Sequence, residues 1–372
     1  MSPQVLDAGP RGASNLEAMS VLSTGKKGKI CFFKGDDAGT SLGSHDVFGL
    51  DGKVVKDVGM VQTWNQCEQM LLTSNSNPHS IMLFETETGQ TKAELSLRRE
   101  RRNWDLRVDS ITPMQKFEQY KQSQEFQLFG IGDNGKTVFS MNHDSRMGEN
   151  VEEFVISADS CRKYKSYTFT CHAQTKGGYL VLGRTDGGVA LYDAIMKSEN
   201  ASCVIDGYPG PVNSIDVAAN GSMIAWTTPN FVFFTCPSPE NWEKGHKAPK
   251  PKVLKLCIRP EDQTAHEDSF ALEEETVRGF WQPVKFDAAT AKDEDGLMER
   301  EIISYSGKVQ MRWNVRQAKA AWQALNDGEP DAPAVFFGAA HVLENNVFRH
   351  MTVMDDLDIV ALEGEIVRSL HF

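Results

Sequence analysis

The sequence predicts an all-β protein, a β-propeller of about seven four-stranded blades, and three observations support this prediction. Short apolar, β-branched segments occur in pairs along the 372 residues and are joined by polar or glycine-containing turns. Most pairs follow a further short segment of the same kind, so each repeat is long enough to form one blade. Helix-like patterns are scarce, while the 40% of hydrophobic residues matches a folded protein with a large core.

Seven hairpins account for the repeats. In the clearest one, residues 179–183 and 188–192 flank a turn whose Asp186-Gly187 pair tolerates positive φ. A lone hairpin is marginally stable, so the repeats must stack on one another. We expect strands from the two chain ends to close the ring in a shared blade, which removes an exposed edge. Two stacked β-sandwiches are the alternative fold. The predicted hairpins span residues 19–33, 69–84, 126–140, 179–192, 223–234, 302–313 and 359–368.

The predicted organisation is an N-terminal tail over residues 1–14 and a single propeller domain over residues 15–372. A short amphipathic helix is expected at residues 315–325, ended by Gly328. Three polar stretches are predicted to be insertions between blade strands, and the second is too long for an ordinary connector. These insertions are residues 34–57, 236–280 and 287–298.

Charge and cysteine content narrow the classes of partner. The formal net charge of −12 repels nucleic-acid backbones and acidic membranes, so either partner would need a local basic patch. Seven scattered cysteines without a Cys-x-x-Cys pair argue against a disulfide framework and a zinc site, and they indicate a reducing compartment. No apolar run approaches the 18 or so residues of a membrane span. We therefore expect a cytoplasmic protein without membrane contact.

Catalytic motifs are missing from the sequence. There is no Gly-x-Ser-x-Gly and no phosphate-binding loop, and the nine histidines are dispersed. The chain is therefore predicted not to be an enzyme and to bind no metal or cofactor. An enzyme with a site in the central channel stays open as an alternative, because such a site could combine residues far apart in sequence.

One basic cluster stands out in the acidic chain. Its arginines could dock an acidic protein surface or RNA phosphates through bidentate guanidinium contacts, or the cluster could be a solvated loop between blades. A neighbouring tryptophan could stack on a base. Further along the chain, Asp144 and Arg146 could form an exposed ion pair or contact a partner. The candidate partner-binding residues are Arg98, Arg99, Arg101, Arg102, Trp104, Arg107, Asp144 and Arg146.

Several stretches resemble the WD40-like C-terminal propeller of the vacuolar import and degradation protein twenty-seven (Vid27-like) family. The resemblance covers most of residues 15–370 and is strongest between 105 and 235. The motif that carries it best is Lys-Gly-Gly-Tyr-Leu-Val-Leu-Gly-Arg-Thr-Asp-Gly-Gly-Val-Ala-Leu-Tyr-Asp, which ends at Asp193. It continues in Pro-Val-Asn-Ser-Ile-Asp-Val, which ends at Val217, and in Ile-Ser-Tyr-Ser-Gly-Lys-Val-Gln-Met-Arg-Trp-Asn, which ends at Asn314.

This resemblance implies a cytoplasmic WD40-like propeller without catalytic activity, in a family associated with vacuolar targeting and degradation. Two departures matter. Family members usually carry a long region before the propeller, whose functions are not carried over to this chain. The family's Asp-Pro-Arg reads Asp144-Ser145-Arg146 here, which relaxes the turn but keeps the charge pair.

The expected function is a protein-interaction scaffold within a larger assembly, linked to protein targeting or degradation. We expect no nucleic-acid contact except through the cluster at residues 98–102. An RNA- or ribonucleoprotein-associated propeller that uses this cluster is the first alternative function.

Overall fold

The structure is a computed structural model that divides into two compact units, Met1–Lys165 with Arg349–Phe372, and Ser166–Phe348. The described residues are 4–5, 18–24, 27–33, 41–55, 58–64, 69–85, 88–99, 104–113, 125–144, 161–163, 168–175, 177–193, 200–243, 248–265, 283–288, 299–306, 309–342, 348–353, 359–363 and 366–370.

Strands dominate both units. The first strands are β1 (Gln4–Val5), β2 (Ala18–Thr24), β3 (Lys27–Phe33), β4 (Ser41–Asp46), β5 (Val58–Trp64), β6 (Gln69–Ser74), β7 (Ser80–Glu85), β8 (Gln90–Ser96), β9 (Arg98–Arg99), β10 (Trp104–Asp105), β11 (Val108–Pro113), β12 (Glu125–Gly132), β13 (Thr137–Asp144) and β14 (Cys161–Lys163). Strands β15 (Phe169–Gln174), β16 (Leu180–Arg184), β17 (Val189–Tyr192), β18 (Cys203–Ile205), β19 (Ser214–Val217), β20 (Ile224–Thr228) and β21 (Phe231–Thr235) follow.

Among its described residues, the second unit also contains three short helices. After β21 the chain forms α1 (Pro239–Trp242), β22 (Leu254–Ile258), α2 (Pro260–Ala265), β23 (Lys285–Ala288), β24 (Glu299–Ser306), β25 (Val309–Asn314), α3 (Val315–Asp327), β26 (Val335–Val342), β27 (Phe348–Val353), β28 (Ile359–Glu363) and β29 (Ile366–Leu370). None of the described helices is long and apolar enough to cross a membrane.

Consecutive strands pair in the sheets of the described residues. Four antiparallel sheets follow chain order, namely β1–β4, β5–β8, β11–β14 and β15–β18. Strands β27–β29 form a three-stranded sheet, and β9 pairs with β10 alone.

The tight turn between β16 and β17 requires a glycine at position 187. Gly187 has φ +82°, and a Cβ there would lie 1.9 Å from the carbonyl oxygen of Tyr208. Asp186 completes the turn by accepting the Gly188 N–H at 3.1 Å.

The second unit contains an eight-stranded sheet in which two antiparallel groups, β19–β22 and β23–β26, are joined by a parallel pairing of β22 with β26. The Trp313 indole stabilises this junction, because its N–H donates a hydrogen bond to the carbonyl oxygen of Cys257 at 3.1 Å. Because each outer strand covers the other, their pairing leaves less exposed edge. Helix α3 packs beside the junction, and Trp322 on α3 donates to the carbonyl oxygen of Lys252.

The core of the second unit lies on both faces of β19–β22. Along β20, Ile224 and Trp226 belong to a cluster shared with β15–β18, while Ala225 belongs to a cluster shared with β23–β26 and α3. Strand β21 alternates in the same way, with Phe233 in the first cluster and Phe234 in the second. Two-residue alternation with apolar residues on both faces therefore places this sheet between two neighbours.

Two buried carboxylates form hydrogen bonds between β19–β22 and β23–β26. Asp216 on β19 accepts the backbone N–H of Phe286 at 2.8 Å, and Glu299 on β24 accepts the backbone N–H of Ala219 at 3.0 Å. The side chains are 9% and 5% exposed, so each hydrogen bond satisfies a backbone group that water hardly reaches.

The predicted hairpins correspond to strand pairs of the structure, and the predicted helix is α3, capped by Asn314 at its start and by Gly328 at its end. Two predicted insertions contain sheet strands, because β4 lies within residues 34–57 and β22 within residues 236–280. Both are outer strands. The sequence of β4 is largely polar and β22 is only partly buried, so neither shows a clear alternation of apolar and polar residues. Residues 289–298 of the third insertion lie outside the described residues.

Strand β1 pairs with β2, and the described pairings contain no strand shared between the β1–β4 and β27–β29 sheets. Closure by the two chain ends, the single-domain organisation and the number of blades therefore stay predictions. The N-terminal tail over residues 1–14 contains β1, which the sequence analysis did not anticipate because two residues carry no periodicity.

Replacing Asp216 with alanine should lower the free energy of unfolding by about 1–3 kcal/mol, because the Phe286 N–H would be left buried without a partner. The measurement is urea unfolding followed by tryptophan fluorescence. Asp331→Ala, which removes the same charge from an exposed position, should change stability by less than about 0.5 kcal/mol. Equal unfolding midpoints for the two variants would contradict the role of Asp216.

Candidate functional site

Part of the arginine cluster lies on a small two-stranded hairpin. Arg98 and Arg99 form β9, and Trp104 forms β10 with Asp105. The register pairs Arg99 with Trp104 and Arg98 with Asp105. Arg101 and Arg102 are outside the described residues. The hairpin is inserted between β8 and β11, where the chain passes from one four-stranded sheet to the next.

The base of the hairpin is anchored by apolar side chains and backbone hydrogen bonds. Leu97 and Leu106 flank the hairpin and are 3% and 0% exposed. The N–H of Leu106 donates to the carbonyl oxygen of Leu97 at 3.2 Å. The N–H of Leu97 in turn donates to the carbonyl oxygen of His79 at 2.7 Å. One step further, Val108 N–H donates to the Pro78 carbonyl oxygen at 2.9 Å. The base is thus fixed to the β6–β7 turn.

Arg107 is held from the other side by the turn between β12 and β13. Its N–H donates to Asp133 Oδ1 at 3.2 Å, and its carbonyl oxygen accepts the Asp133 N–H at 2.9 Å. Asp133 also accepts the Thr137 hydroxyl at 2.7 Å, so its carboxylate is shared between two elements. The Arg107 side chain is 55% exposed and its Nε lies 3.6 Å from Asp109 Oδ1.

Acidic side chains surround this base. Burial raises the pKa of the Asp109 carboxyl above its ordinary value, against the opposing effects of the Gly135 N–H, which donates to Asp109 Oδ2 at 2.9 Å, and of nearby Arg107. Asp105 Oδ1 lies 2.7 Å from His79 Nδ1, and the Asp105 side chain remains 56% exposed. Each of these carboxylates therefore has a neighbour that fixes it near the hairpin.

The structure separates the predicted site residues into two places. Asp144 ends β13 opposite Glu125, whereas the Asp133 turn that contacts Arg107 lies at the other end of the same strand pair. Seven residues of extended chain between Thr137 and Asp144 correspond to about 23 Å. Asp144 is therefore not part of the hairpin surface, and Arg146 lies outside the described residues.

The sequence analysis missed His79, Asp105, Asp109 and Asp133 as parts of this surface. Asp133 belongs to an Asp-Asn-Gly turn signal, which predicts the turn but not its contact with Arg107 twenty-six positions earlier in the chain. Asp105 could have been included from the sequence, because it directly follows Trp104. His79 lies beside the hairpin because β7 pairs with β8, with Ser80 opposite Ser96, and sequence spacing does not encode this register.

Four described cysteines are poor nucleophiles. Burial raises the pKa of the Cys171 and Cys236 thiols to about 12, and it also raises the pKa of Cys203 and Cys257. A thiol reacts as its thiolate, so these side chains stay largely unreactive near neutral pH. Over the described ranges, no three His, Cys, Asp or Glu side chains are grouped so that they could hold a metal ion.

The fold is that of a WD40-like β-propeller. The structure is similar to the crystal structure of the Cps50 (Swd1) beta-propeller domain of Myceliophteria thermophila, with a TM-score of 0.56 at 9% sequence identity. The superposition covers 99% of this chain and 96% of that one. This likeness favours the predicted propeller over the alternative of two stacked sandwiches.

Residues 27–325 match the family model described as the VID27 C-terminal WD40-like domain, and the chain belongs to this family. Two proteins named Vacuolar import and degradation protein 27 are similar to it. The Schizosaccharomyces pombe protein is 23% identical over 270 residues, which cover 68% of this chain and 30% of the relative. The Saccharomyces cerevisiae protein is 22% identical over 303 residues, which cover 77% and 35%.

The chain thus spans about a third of the length of the curated relatives it matches. Family and fold together support a protein-interaction scaffold in general, because WD40-like propellers typically act as non-catalytic scaffolds. They name no partner and no complex for this chain.

Cys171 and Cys236 should resist alkylation by iodoacetamide in the native protein. With both pKa values near 12, the thiols stay protonated at pH 7.5 and remain largely so at pH 9.5. Mass spectrometry of time-resolved labelling measures the rates site by site, and the same reaction in 8 M urea gives the rate of an exposed cysteine. Native rates within twofold of the urea rates would contradict the buried, protonated state.

Proposed function

We propose that the chain is a non-enzymatic scaffold that binds other proteins, with the β9–β10 hairpin and Arg107 as its docking element. The observation that carries the proposal is the hairpin itself, which pairs with no sheet among the described residues and yet has a fixed base. An element whose base is fixed loses less conformational entropy on binding than a free loop does.

The composition of the hairpin fits docking. Arginine forms bidentate hydrogen bonds with carboxylates, and arginine and tryptophan are both enriched among the residues that dominate binding energy at protein interfaces. The segment from Arg98 to Arg107 carries five arginines and two acidic residues, a formal charge of +3 in a chain of −12. Arg98, Arg99, Arg101, Arg102 and Trp104 are therefore proposed as partner-binding residues.

Asp144 and Arg146 are proposed as a separate, minor contact. Asp144 closes β13 at the end remote from the hairpin, so a partner that reached both places would have to cover the length of that strand. An isolated exposed ion pair contributes only about 0–1 kcal/mol, so this pair would add little to binding.

The names of the two fungal relatives mention vacuolar import and degradation. We extend to this chain a role in bringing proteins to such a route, in the cytoplasm and as a subunit of a larger assembly. In this role the propeller supplies the recognition of a partner, while transport and proteolysis would belong to other proteins.

Recovery of partners from the native source tests the scaffold. A tagged chain should retain a reproducible set of proteins, and replacing residues 98–105 with two glycines should remove at least one of them. The replacement is feasible because Leu106 N–H already donates to the Leu97 carbonyl oxygen, so the cut ends lie side by side. Quantitative mass spectrometry of the recovered proteins provides the measurement.

A control matched in charge carries Arg316→Ala and Lys319→Ala on the exposed part of α3, which removes the same net charge of +2, and it should retain the full set. An identical set for the wild type and the shortened variant would show that the hairpin is not the docking element. A bare monomer from every extract would contradict the scaffold itself. Deleting residues 236–280 is a poor test, because it removes β22 from the eight-stranded sheet.

A further inference from the structure

Two Asn-Gly pairs in the chain can undergo spontaneous deamidation. In such a pair the glycine nitrogen attacks Cγ of the asparagine side chain, so an N–Cγ bond forms while the Cγ–Nδ2 bond breaks. Ammonia leaves with the proton of the glycine nitrogen, and water then opens the resulting succinimide to aspartate or isoaspartate. Glycine favours the reaction, because it has no side chain and its backbone rotates freely. The pairs are Asn134-Gly135 and Asn220-Gly221.

The β12–β13 turn keeps the first pair in a conformation that cannot react. Asn134 has φ +57°, in the left-handed region, where ψ is about +30 to +60°. At such ψ values the Gly135 nitrogen is rotated away from Cβ about the Cα–C bond of Asn134, so Cγ cannot reach it. Asp133 has φ +56° as well, so two consecutive residues other than glycine are left-handed. Closure of the succinimide ring therefore requires the turn to open first.

A carboxylate from another strand holds this turn. The Gly135 N–H donates to Asp109 Oδ2 at 2.9 Å, and the Asn134 N–H also interacts with that carboxylate. Left-handed conformations are unfavourable for L residues other than glycine, so they persist only where surrounding contacts compensate for the cost. Asp109 lies on β11, 26 positions before Gly135. Its contact is therefore lost whenever the turn separates from β11.

The second pair is held by different contacts. The Gly221 N–H donates to the carbonyl oxygen of Ala218 at 2.8 Å, and Asn220 Oδ1 accepts the Ser222 N–H at 2.9 Å. The Trp242 indole donates to the carbonyl oxygen of Gly221 at 3.1 Å. These groups belong neither to β11 nor to the β12–β13 turn, so Asn220 can serve as an internal reference for Asn134.

We propose that the Asp109 carboxylate protects Asn134 from deamidation, and that Asn134 is the position at which the chain is modified once this contact is lost. The inference concerns the chemistry of the turn and does not depend on the proposed scaffold function. Aspartate at position 134 adds a negative charge beside Asp109 and Asp133, while isoaspartate adds a methylene group to the backbone of the turn. Either product disturbs the turn whose Asp133 carboxylate accepts the Arg107 N–H at 3.2 Å. A transient opening would thereby become a permanent change at the base of the β9–β10 hairpin.

Peptide mapping by mass spectrometry measures the rate of deamidation at each asparagine. The full chain is incubated at pH 8 in the native state and, in parallel, in 8 M urea. We expect Asn134 to deamidate at least tenfold more slowly in the native chain than in urea, because the folded turn prevents ring closure. Equal rates under the two conditions would overturn the proposed protection.

Replacing the carboxylate tests its role. Asp109→Ala should raise the native rate at Asn134 at least fivefold and change the rate at Asn220 less than twofold. The control Asp51→Ala removes the same charge from an exposed turn of the same unit, and it should change the rate at Asn134 less than twofold. An unchanged rate at Asn134 in Asp109→Ala would refute protection by the carboxylate. An equal rise at Asn134 and Asn220 would indicate a general loss of structure and would refute it as well.

A conservative variant replaces Asp109→Ala if thermal unfolding by circular dichroism shows that this protein does not fold. Asp109→Asn keeps a side-chain oxygen that can accept the Gly135 N–H, but it loses the charge that strengthens the hydrogen bond. We expect it to raise the native rate at Asn134 at least twofold, again with the rate at Asn220 changed less than twofold. In that case a rate at Asn134 no higher than in the wild type would overturn the inference.

Discussion

Burial of both faces of each central sheet is the constraint on which the second unit depends. In β20 and β21, alternate residues enter two separate apolar clusters, so Trp226 and Ala225 face opposite neighbours. A sheet of this kind cannot keep one side in water, as many antiparallel sheets do. It is stable only between two other sheets, and the same requirement repeated along a chain of hairpins produces a propeller.

Edges and polar groups are arranged to serve this stacking. The parallel pairing of β22 with β26 covers two outer edges at once, and the Trp313 indole is both part of the core and a hydrogen-bond donor to the junction. Asp216 and Glu299 link successive groups of strands through backbone N–H groups that packing alone would leave unsatisfied. The segments that connect successive sheets do not have to meet these packing and hydrogen-bonding requirements. The β9–β10 hairpin is inserted in such a segment.

Local patterns predicted much of the fold, while contacts distant in sequence escaped prediction. Asp186-Gly187 predicted its tight turn, and the pattern from Val315 predicted α3. The outer strands β4 and β22 were assigned to insertions because their residues are polar or only partly buried. The cluster of arginines is visible in the sequence, but the contact between Arg107 and Asp133 is not, because it joins residues twenty-six positions apart.

The acidic side chains at the base of the β9–β10 hairpin have a structural role. Asp133 and Asp109 accept backbone N–H groups that hold two connections together, so their negative charges have a structural origin. Neutralising either one would weaken the hydrogen bonds that fix the base, because charged acceptors make the stronger bonds. A rigid support for the arginines therefore brings acidic groups with it.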